Sequence, residues 1–420
     1  MNRSILIILY TFPPFPGIGG RRWAKFTKYL ALKGYKVHVI CSENVFKEYS
    51  LWMEDIKNEN IKVYTLPSKY PQVMLHEVGS FLDKIFYRFW KMYFSIYSKG
   101  VIFERVMFWR KQLQQKASEI IEEENIKNVI VSIPPYRLAT YSIALKQKYK
   151  YVNLIIDYRD PWTDNKSFHG FNNISPSRLK YEQELEQHVL ETADKIISVS
   201  SQMSDNLKER NIEKTKVITI PNGFDPSDIF PIANSGLNVS EDKIRFVYGG
   251  TLYNDLEYVI IPLISYLTKL KESNQLLYNR LSFEFYGSLN IELKRKLMNS
   301  GNSNIHINTP VSLKEMQQIL GESSFGLLFT PPSYSVVFNT KFCEYLANRK
   351  PILLFSYPCE ASDFLIKNKL GFYVNPWQIE KELDFFFDNI DSIKDGFNSE
   401  FDLTPFSIPF LTNEIEKLLI

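Results

Sequence analysis

Short apolar runs recur along the chain, separated by stretches in which apolar positions return every three or four residues. SILIILYTF, YKVHVIC, IKVYTL, NVIVSI, VNLIID, KIISVS and KVITI read as strands in the first half. Between them RRWAKFTKYLALKG and RLATYSIALKQKYK carry helical spacing. The alternation then restarts. IRFVYGG, LSFEFYG, NIHIN, SFGLLFT and PILLFS are strands, and LEYVIIPLISYLTKLKES, SLKEMQQILGE and NTKFCEYLANRK are helices. Strands alternating with helices predict parallel sheets covered on both faces. The join is expected in PNGFDPSDIF, where Pro, Asn and Gly make a turn before a polar, irregular stretch to about Asp242. The pattern predicts an α/β protein of two doubly wound domains, residues 1–225 and 226–400. Residues 401–420 hold an amphipathic helix expected to pack back on the first domain. Ligands of such sheets sit at the carboxyl ends of the strands, so a central cleft faced by both domains is the expected site.

A chain of 420 residues is too long for one core, in keeping with two domains. Apolar residues at 45% and charged residues at 23% exclude wholesale disorder and a polytopic membrane protein. Lys and Arg number 50 against 47 Asp and Glu, so no global field calls for nucleic acid. Cys41, Cys343 and Cys359 form no CxxC, which excludes a disulfide scaffold or zinc ribbon and fits the cytoplasm. The opening run resembles a signal peptide superficially. The PPFPGIGGRRW that follows has no small-x-small cleavage site, so the run is expected to be a buried strand. No stretch approaches the roughly 20 apolar residues that span a bilayer.

Three segments carry candidate chemistry. Gly17-Ile18-Gly19-Gly20-Arg21-Arg22 follows the first strand and opens a helix. Glycines admit a phosphate to the backbone, a helix start offers free amides, and Arg21 and Arg22 add charge. The spacing is wrong for a GxGxxG dinucleotide site. The structural alternative is a tight turn with solvated arginines. Asp157-Tyr158-Arg159-Asp160-Pro161-Trp162-Thr163 ends the strand VNLIID. Asp160 there suits orientation of an acceptor hydroxyl or a base, and Arg159 suits a phosphate. The alternative is an Arg–Asp bracket at a strand end. Asn339-Thr340-Lys341 begins a helix, with Glu344 one turn on. A diphosphate there would meet the helix dipole and Lys341, and Glu344 reaches for sugar hydroxyls. The alternative is a solvated amphipathic helix.

The stretch Phe81 to Arg110 has eleven aromatic residues in 30, with six basic residues against two acidic ones. Leu82, Ile85, Phe86, Phe89, Trp90, Tyr93, Phe94 and Tyr97 are expected on one helix face, with Lys84, Arg88 and Lys91 opposite. Such a helix lies in an anionic membrane interface or packs its stripe on the core. Residues 75–110 are thus an aromatic and basic helical insert. Absences narrow the chemistry. The chain has no Asp-x-Asp, HxH, HExxH, GxSxG or GxxxxGK[ST], so a metal–diphosphate site of that type, zinc chemistry, hydrolase triads and P-loop catalysis lack their signatures.

TFPPFPGIGGRRWAKFTKYLALKGYKVHVIC, IPPYR with DYRDPWTDN, ADKIISVSSQMSDNLKER with KVITIPNGFDP, YGGTLY, FEFYGS and NTKFCEYLANRKPILLFS together resemble, in order, the family 4-type glycosyltransferases of GT-B fold. The resemblance covers nearly the whole chain and includes a subgroup's Asp-x-Arg-Asp-x-Trp loop. It implies two Rossmann-like domains, the second binding a nucleotide-diphosphate sugar and the first facing the acceptor. It implies transfer to an acceptor hydroxyl, usually with retention, with no obligatory metal and no cofactor. The donor residues it implies are Gly19, Gly20, Arg21, Gly250, Thr251, Thr309, Val311, Asn339, Thr340, Lys341 and Glu344. The base would be lined by the backbone of His306 to Val311. Asp160 and Arg159 are the catalytic candidates, Asp160 standing in for a family histidine that has no match.

Two departures accompany the resemblance. Where the family often has two glutamates separated by seven residues, Glu344 fits the second and Val336 occupies the first position. The Arg and Lys that commonly follow the first strand of the second domain are absent after Gly249-Gly250-Thr251. Expected partners are a nucleotide-sugar donor and a lipid-linked glycan acceptor in surface polysaccharide assembly, with peripheral membrane contact through residues 81–110 at the inner face of the plasma membrane. Two other readings stay open: a non-catalytic partner built on the same scaffold, and a nucleotide-sugar 2-epimerase.

Overall fold

The computed structural model describes residues 3–74, 79–97, 104–165, 174–229, 243–252, 256–288, 290–330 and 339–420. Lys99, the whole loop PPSYSVV with Val336, Phe338 and the polar stretch after the predicted join lie outside the described residues. The chain divides into two compact units. Met1–Pro221 with Leu411–Ile420 forms the first and Asn222–Phe410 the second.

The first unit is built on seven parallel strands: β1 (Ser4–Ile8), β2 (Lys36–Ser42), β3 (Ile61–Leu66), β4 (Asn128–Ile133), β5 (Asn153–Tyr158), β6 (Lys195–Ser198) and β7 (Val217–Thr219). Their order is β3-β2-β1-β4-β5-β6-β7. Every residue of β1, β4 and β5 is buried, as expected where helices cover both faces of a parallel sheet. The winding direction reverses between β1 and β4, and the chain leaves their carboxyl ends toward opposite faces. The tail is fastened to this sheet. Asn128 pairs with the backbone of Ile420 at both its side-chain atoms, 3.1 and 3.0 Å, and Asn153 Nδ2 donates to Leu418 O at 2.9 Å. Lys33 Nζ and Tyr35 Oη both donate to the Glu416 carboxylate.

The second unit has six parallel strands: β8 (Ile244–Gly249), β9 (Leu281–Tyr286), β10 (Ile305–Asn308), β11 (Phe325–Phe329), β12 (Ile352–Phe355) and β13 (Gly371–Val374), ordered β10-β9-β8-β11-β12-β13. Side chains alternate between two cores. Phe246, Tyr248, Phe325, Leu327, Phe329, Leu353 and Phe355 fill one, and Val247, Leu328, Ile352 and Leu354 enter the other. Phe246 centres the first, stacked on Phe283 at 4.7 Å and on Phe325 at 5.4 Å. The reversal here lies between β8 and β11. Strand β13 was not among the expected ones. It has four residues, three of them only half-buried, too few to show a period of two.

Candidate functional site

In the first unit the site candidates leave the carboxyl ends of β1, β4 and β5, next to the reversal point. The loop after β1 folds back tightly. Gly17 has φ of 107°. Gly20 is buried, and a Cβ on it would sit 3.2 Å from Thr11 O and Phe12 Cα. The helix Arg21–Leu32 starts at this turn, with Gly20 as its cap residue, which has no side chain to offer the first amides. Arg21 and Arg22 are both buried, not solvated.

Arg22 and Arg159 have distinct partners, set by strand alternation at the end of β5. Asp157 is fully buried and faces Arg22, not Arg159. Its Oδ1 accepts from Arg22 Nη2 at 3.2 Å, and its Oδ2 accepts from Trp23 Nε1 and Ser132 Oγ, both at 2.7 Å. The same guanidinium donates to the carbonyls of Ile220 and Pro221, each at 2.8 Å. Arg159 is occupied by carbonyl oxygens. Nη1 donates to Gly19 O at 2.6 Å, Nε to Ile133 O at 3.3 Å and Nη2 to Pro134 O. It thus ties together the loops after β1, β4 and β5. The expected bracket of two aspartates around Arg159 is corrected accordingly. Asp160 remains half-buried, and burial pushes its carboxyl above the usual range, opposed by the charge of Arg159.

The loop carrying Asp160 rests on acids that sequence spacing did not single out. Trp162 is buried, stacked on Tyr136 at 5.1 Å, and donates from Nε1 to Glu182 Oε2 at 3.1 Å. Tyr136 Oη donates to Pro161 O at 2.6 Å, and Thr163 Oγ1 donates to Glu186. Glu182 and Glu186 stand four apart on the helix Pro176–Thr192, hence on one face. Glu182 is neutralised by Arg137 and Arg178, each at 2.5 Å. Glu104 accepts from the amides of Tyr136 (2.9 Å) and Arg137 (2.7 Å), where the helix Arg137–Lys148 begins. Burial pushes Glu104 and Glu186 each up to about 7. Glu104 was legible only as one of two acids in an aromatic stretch. The i, i+4 spacing of Glu182 and Glu186 was the available signal for the other two.

In the second unit the candidates gather after β8 and β11. Gly250 has φ of 138° and donates its amide to Tyr286 O at 2.8 Å. Gly287, at φ of 140°, packs so closely that a Cβ would lie 2.2 Å from Gly250 O. Lys341 runs over Gly250. A Cβ on that glycine would be 2.4 Å from Lys341 Cε and 3.0 Å from Nζ. The ammonium lies 5.2 Å from the Tyr248 ring centroid, and Tyr248 Oη donates to Thr251 O at 2.9 Å. Burial lowers the Lys341 pKa, opposed by Glu344 one turn along the helix Thr340–Ala347. Asn339 caps that helix, its Oδ1 accepting from Phe342 N at 2.8 Å. Thr340 is half-buried at the first turn.

The structure thus brings Gly250, Thr251, Asn339, Thr340, Lys341 and Glu344 to one end of one sheet. Gly19, Gly20, Arg21, Arg159 and Asp160 gather likewise in the first unit. Thr309 and Val311 follow β10, the outer strand two positions from β8. Thr309 is exposed and Val311 half-buried, and neither bonds to the Lys341 group among the described residues. A positive-φ glycine, an ammonium and a helix start come together at the carboxyl edge of β8 and β11, a combination whose chemistry suits an anion.

The model of Glycosyltransferase Family 4 matches residues 19–228, half of the chain. No curated protein sequence matches. Among solved structures, a glycosyltransferase from Rickettsia africae is similar at 16% identity and TM-score 0.63, covering 99% of this chain and 97% of its own. HepE of Anabaena, solved with UDP and glucose, is similar at 12% identity and TM-score 0.65, with 99% and 98% covered. WaaG, a glycosyltransferase involved in lipopolysaccharide biosynthesis, is similar at 14% identity and TM-score 0.61, with 98% and 99% covered. At these identities the likeness is one of fold.

Proposed function

The chain belongs to glycosyltransferase family 4 and is a glycosyltransferase of GT-B type, and from that premise we propose that its second unit holds a nucleotide-diphosphate sugar through the Lys341–Gly250 cradle. The packing of Lys341 against the positive-φ Gly250 at a helix start is the observation that carries this reading. The diphosphate oxygens are met by the ammonium, the Gly250–Thr251 backbone and the amides opening the helix Thr340–Ala347, with no metal required. Glu344 takes the ribose hydroxyls. Thr309 and Val311 offer backbone groups to the base. That HepE was solved with UDP and glucose supports a nucleotide-sugar donor here.

The reaction is transfer with retention. The bond from the anomeric carbon to the diphosphate oxygen breaks, and a bond forms on the same face to the acceptor oxygen. The acceptor proton passes to the departing diphosphate, so no side-chain nucleophile is needed. Asp160 accepts a hydrogen bond from the acceptor hydroxyl and orients it. Arg159 acts through its three carbonyls as a positioning residue for the Asp160 loop. The acceptor is a lipid-linked glycan in surface polysaccharide assembly, and the enzyme works in the cytoplasm at the membrane surface. The involvement of WaaG in lipopolysaccharide biosynthesis supports that setting.

The test is a thermal-shift screen against UDP, GDP, dTDP and ADP, followed by the sugar forms of any hit. Ligand at a hundredfold its dissociation constant adds roughly 2.7 kcal/mol of stability. One nucleotide stabilising the wild type but not Lys341→Ala supports the reading. No shift with any nucleotide contradicts it.

A further inference from the structure

The helix Phe81–Tyr97 does not pack the way its aromatic stripe suggests. Phe94 is fully buried, stacked on Tyr70 at 5.2 Å, and Tyr87 and Trp90 are half-buried beside it. These three fasten the helix to the first unit. The other apolar side chains of the helix that the structure describes stay in water. Leu82 is 64% exposed, Ile85 48%, Phe86 54%, Phe89 50%, Met92 58% and Ile96 72%. At about 100° per residue these six share an arc of roughly 120°. Phe81 and Tyr93, exposed too, fall inside or beside it. Isolated exposed apolar residues need no explanation, but a contiguous strip along a whole helix does.

We infer that this strip lies in the interfacial layer of an anionic membrane, with the helix axis parallel to the bilayer surface. Charge selects this occupant. Lys84, Arg88 and Lys91 share an arc of roughly 60° along one border of the strip. All three are exposed, and none forms an ion pair among the described residues. Asp83, the helix's one acid, is turned to its own start, where its carboxylate accepts from Ser80 N at 3.0 Å. Apolar residues beside unneutralised cations suit acyl chains beneath anionic headgroups. The same charges disfavour a second copy of the chain, because pairing two such helices brings like charges together. None of the described helices is long and apolar enough to cross a membrane, so the contact is one of lying on the surface. The inference rests on this helix and not on the donor site, although it suits the proposed lipid-linked acceptor.

The experiment is flotation of the full chain with vesicles of phosphatidylcholine alone and of phosphatidylcholine with phosphatidylglycerol. The wild type is expected to float with the anionic vesicles and much less with the neutral ones. Ile85→Ser with Phe89→Ser removes apolar contact at exposed positions, and flotation is lost while the melting curve holds. Lys84→Glu with Arg88→Glu and Lys91→Glu weakens anionic binding by roughly fivefold for each cation removed. Wild type that stays in the supernatant with both vesicles overturns the inference. So does a serine variant that floats as well as wild type, or a wild-type dimer that the serine changes dissociate without any vesicle binding. Nucleotide-induced stabilisation, followed in the same variants, is independent of all these outcomes and reports on the transferase reading alone.

Discussion

Lys341 Cε occupies the space a side chain at Gly250 would need, 2.4 Å from where its Cβ would stand. The glycine is required twice over, because its φ of 138° is also one that L side chains rarely adopt. Gly250→Ala is expected to displace the ammonium and to weaken nucleotide binding about as much as Lys341→Ala does. A charge-assisted contact of about 1.5–3 kcal/mol corresponds to roughly ten- to a hundredfold in affinity. Titration calorimetry on both variants checks this.

Arg159→Lys separates positioning from binding. Lysine cannot donate in three directions from a rigid fork, so the carbonyls of Gly19, Ile133 and Pro134 lose their common donor. The Asp160 loop then shifts, and kcat is expected to fall by roughly a hundredfold. Nucleotide affinity, set in the second unit, is expected to hold. Asp160→Asn is expected to lower kcat as well, with the donor dissociation constant unchanged. Steady-state kinetics beside nucleotide titration reads both.

Asp157 is structural by the same logic. Asp157→Ala leaves Arg22 buried without its carboxylate and removes the acceptor of Trp23 and Ser132. Removing one partner of a buried pair costs about 3–5 kcal/mol. Five of the six tryptophans lie in the first unit, so the urea midpoint read by tryptophan fluorescence should drop sharply.

Two acids beneath the Asp160 loop give a pH dependence. Glu104 and Glu186 are each pushed up to about 7, above their ordinary carboxylate value. Between that ordinary value and 7 the folded chain binds more protons than the unfolded chain. Their contribution to stability therefore falls as pH rises through this window and levels off above about 7. The melting temperature of wild type should show this decline, and Glu104→Gln and Glu186→Gln should each flatten it. A wild-type curve that instead rises between pH 5 and 7, with no difference in the variants, would count against these two groups.

The parallel sheets were legible because β1, β4, β11 and β12 are continuous apolar runs bounded by turns, which is what burial on both faces demands. Strand β13 escaped because GFYV is too short and too exposed. The candidate segments were legible as glycines and charges at strand ends. Their partners were not, since Arg22 meets Asp157 across 135 positions and Lys341 meets Gly250 across the sheet edge. Two arginines near two aspartates admit several pairings, and the strand's alternation selected the one that spacing disfavoured. The aromatic helix shows the same limit. Helical spacing identified an apolar stripe, but only packing divided it, with Phe94 and Trp90 turned inward beside Tyr87, which the stripe had left out, and Leu82, Ile85, Phe86, Phe89 and Tyr93 left outside.

In the proposed reaction the chain transfers a sugar from a nucleotide donor held at Lys341. The most direct measurement is release of nucleoside diphosphate from a panel of UDP-, GDP-, dTDP- and ADP-sugars, with and without a bacterial lipid extract as acceptor source. Release is expected from one donor class, faster with extract, and lost in Lys341→Ala while the variant stays folded. Release from no donor under either condition would contradict it and leave the chain a transferase scaffold without the chemistry.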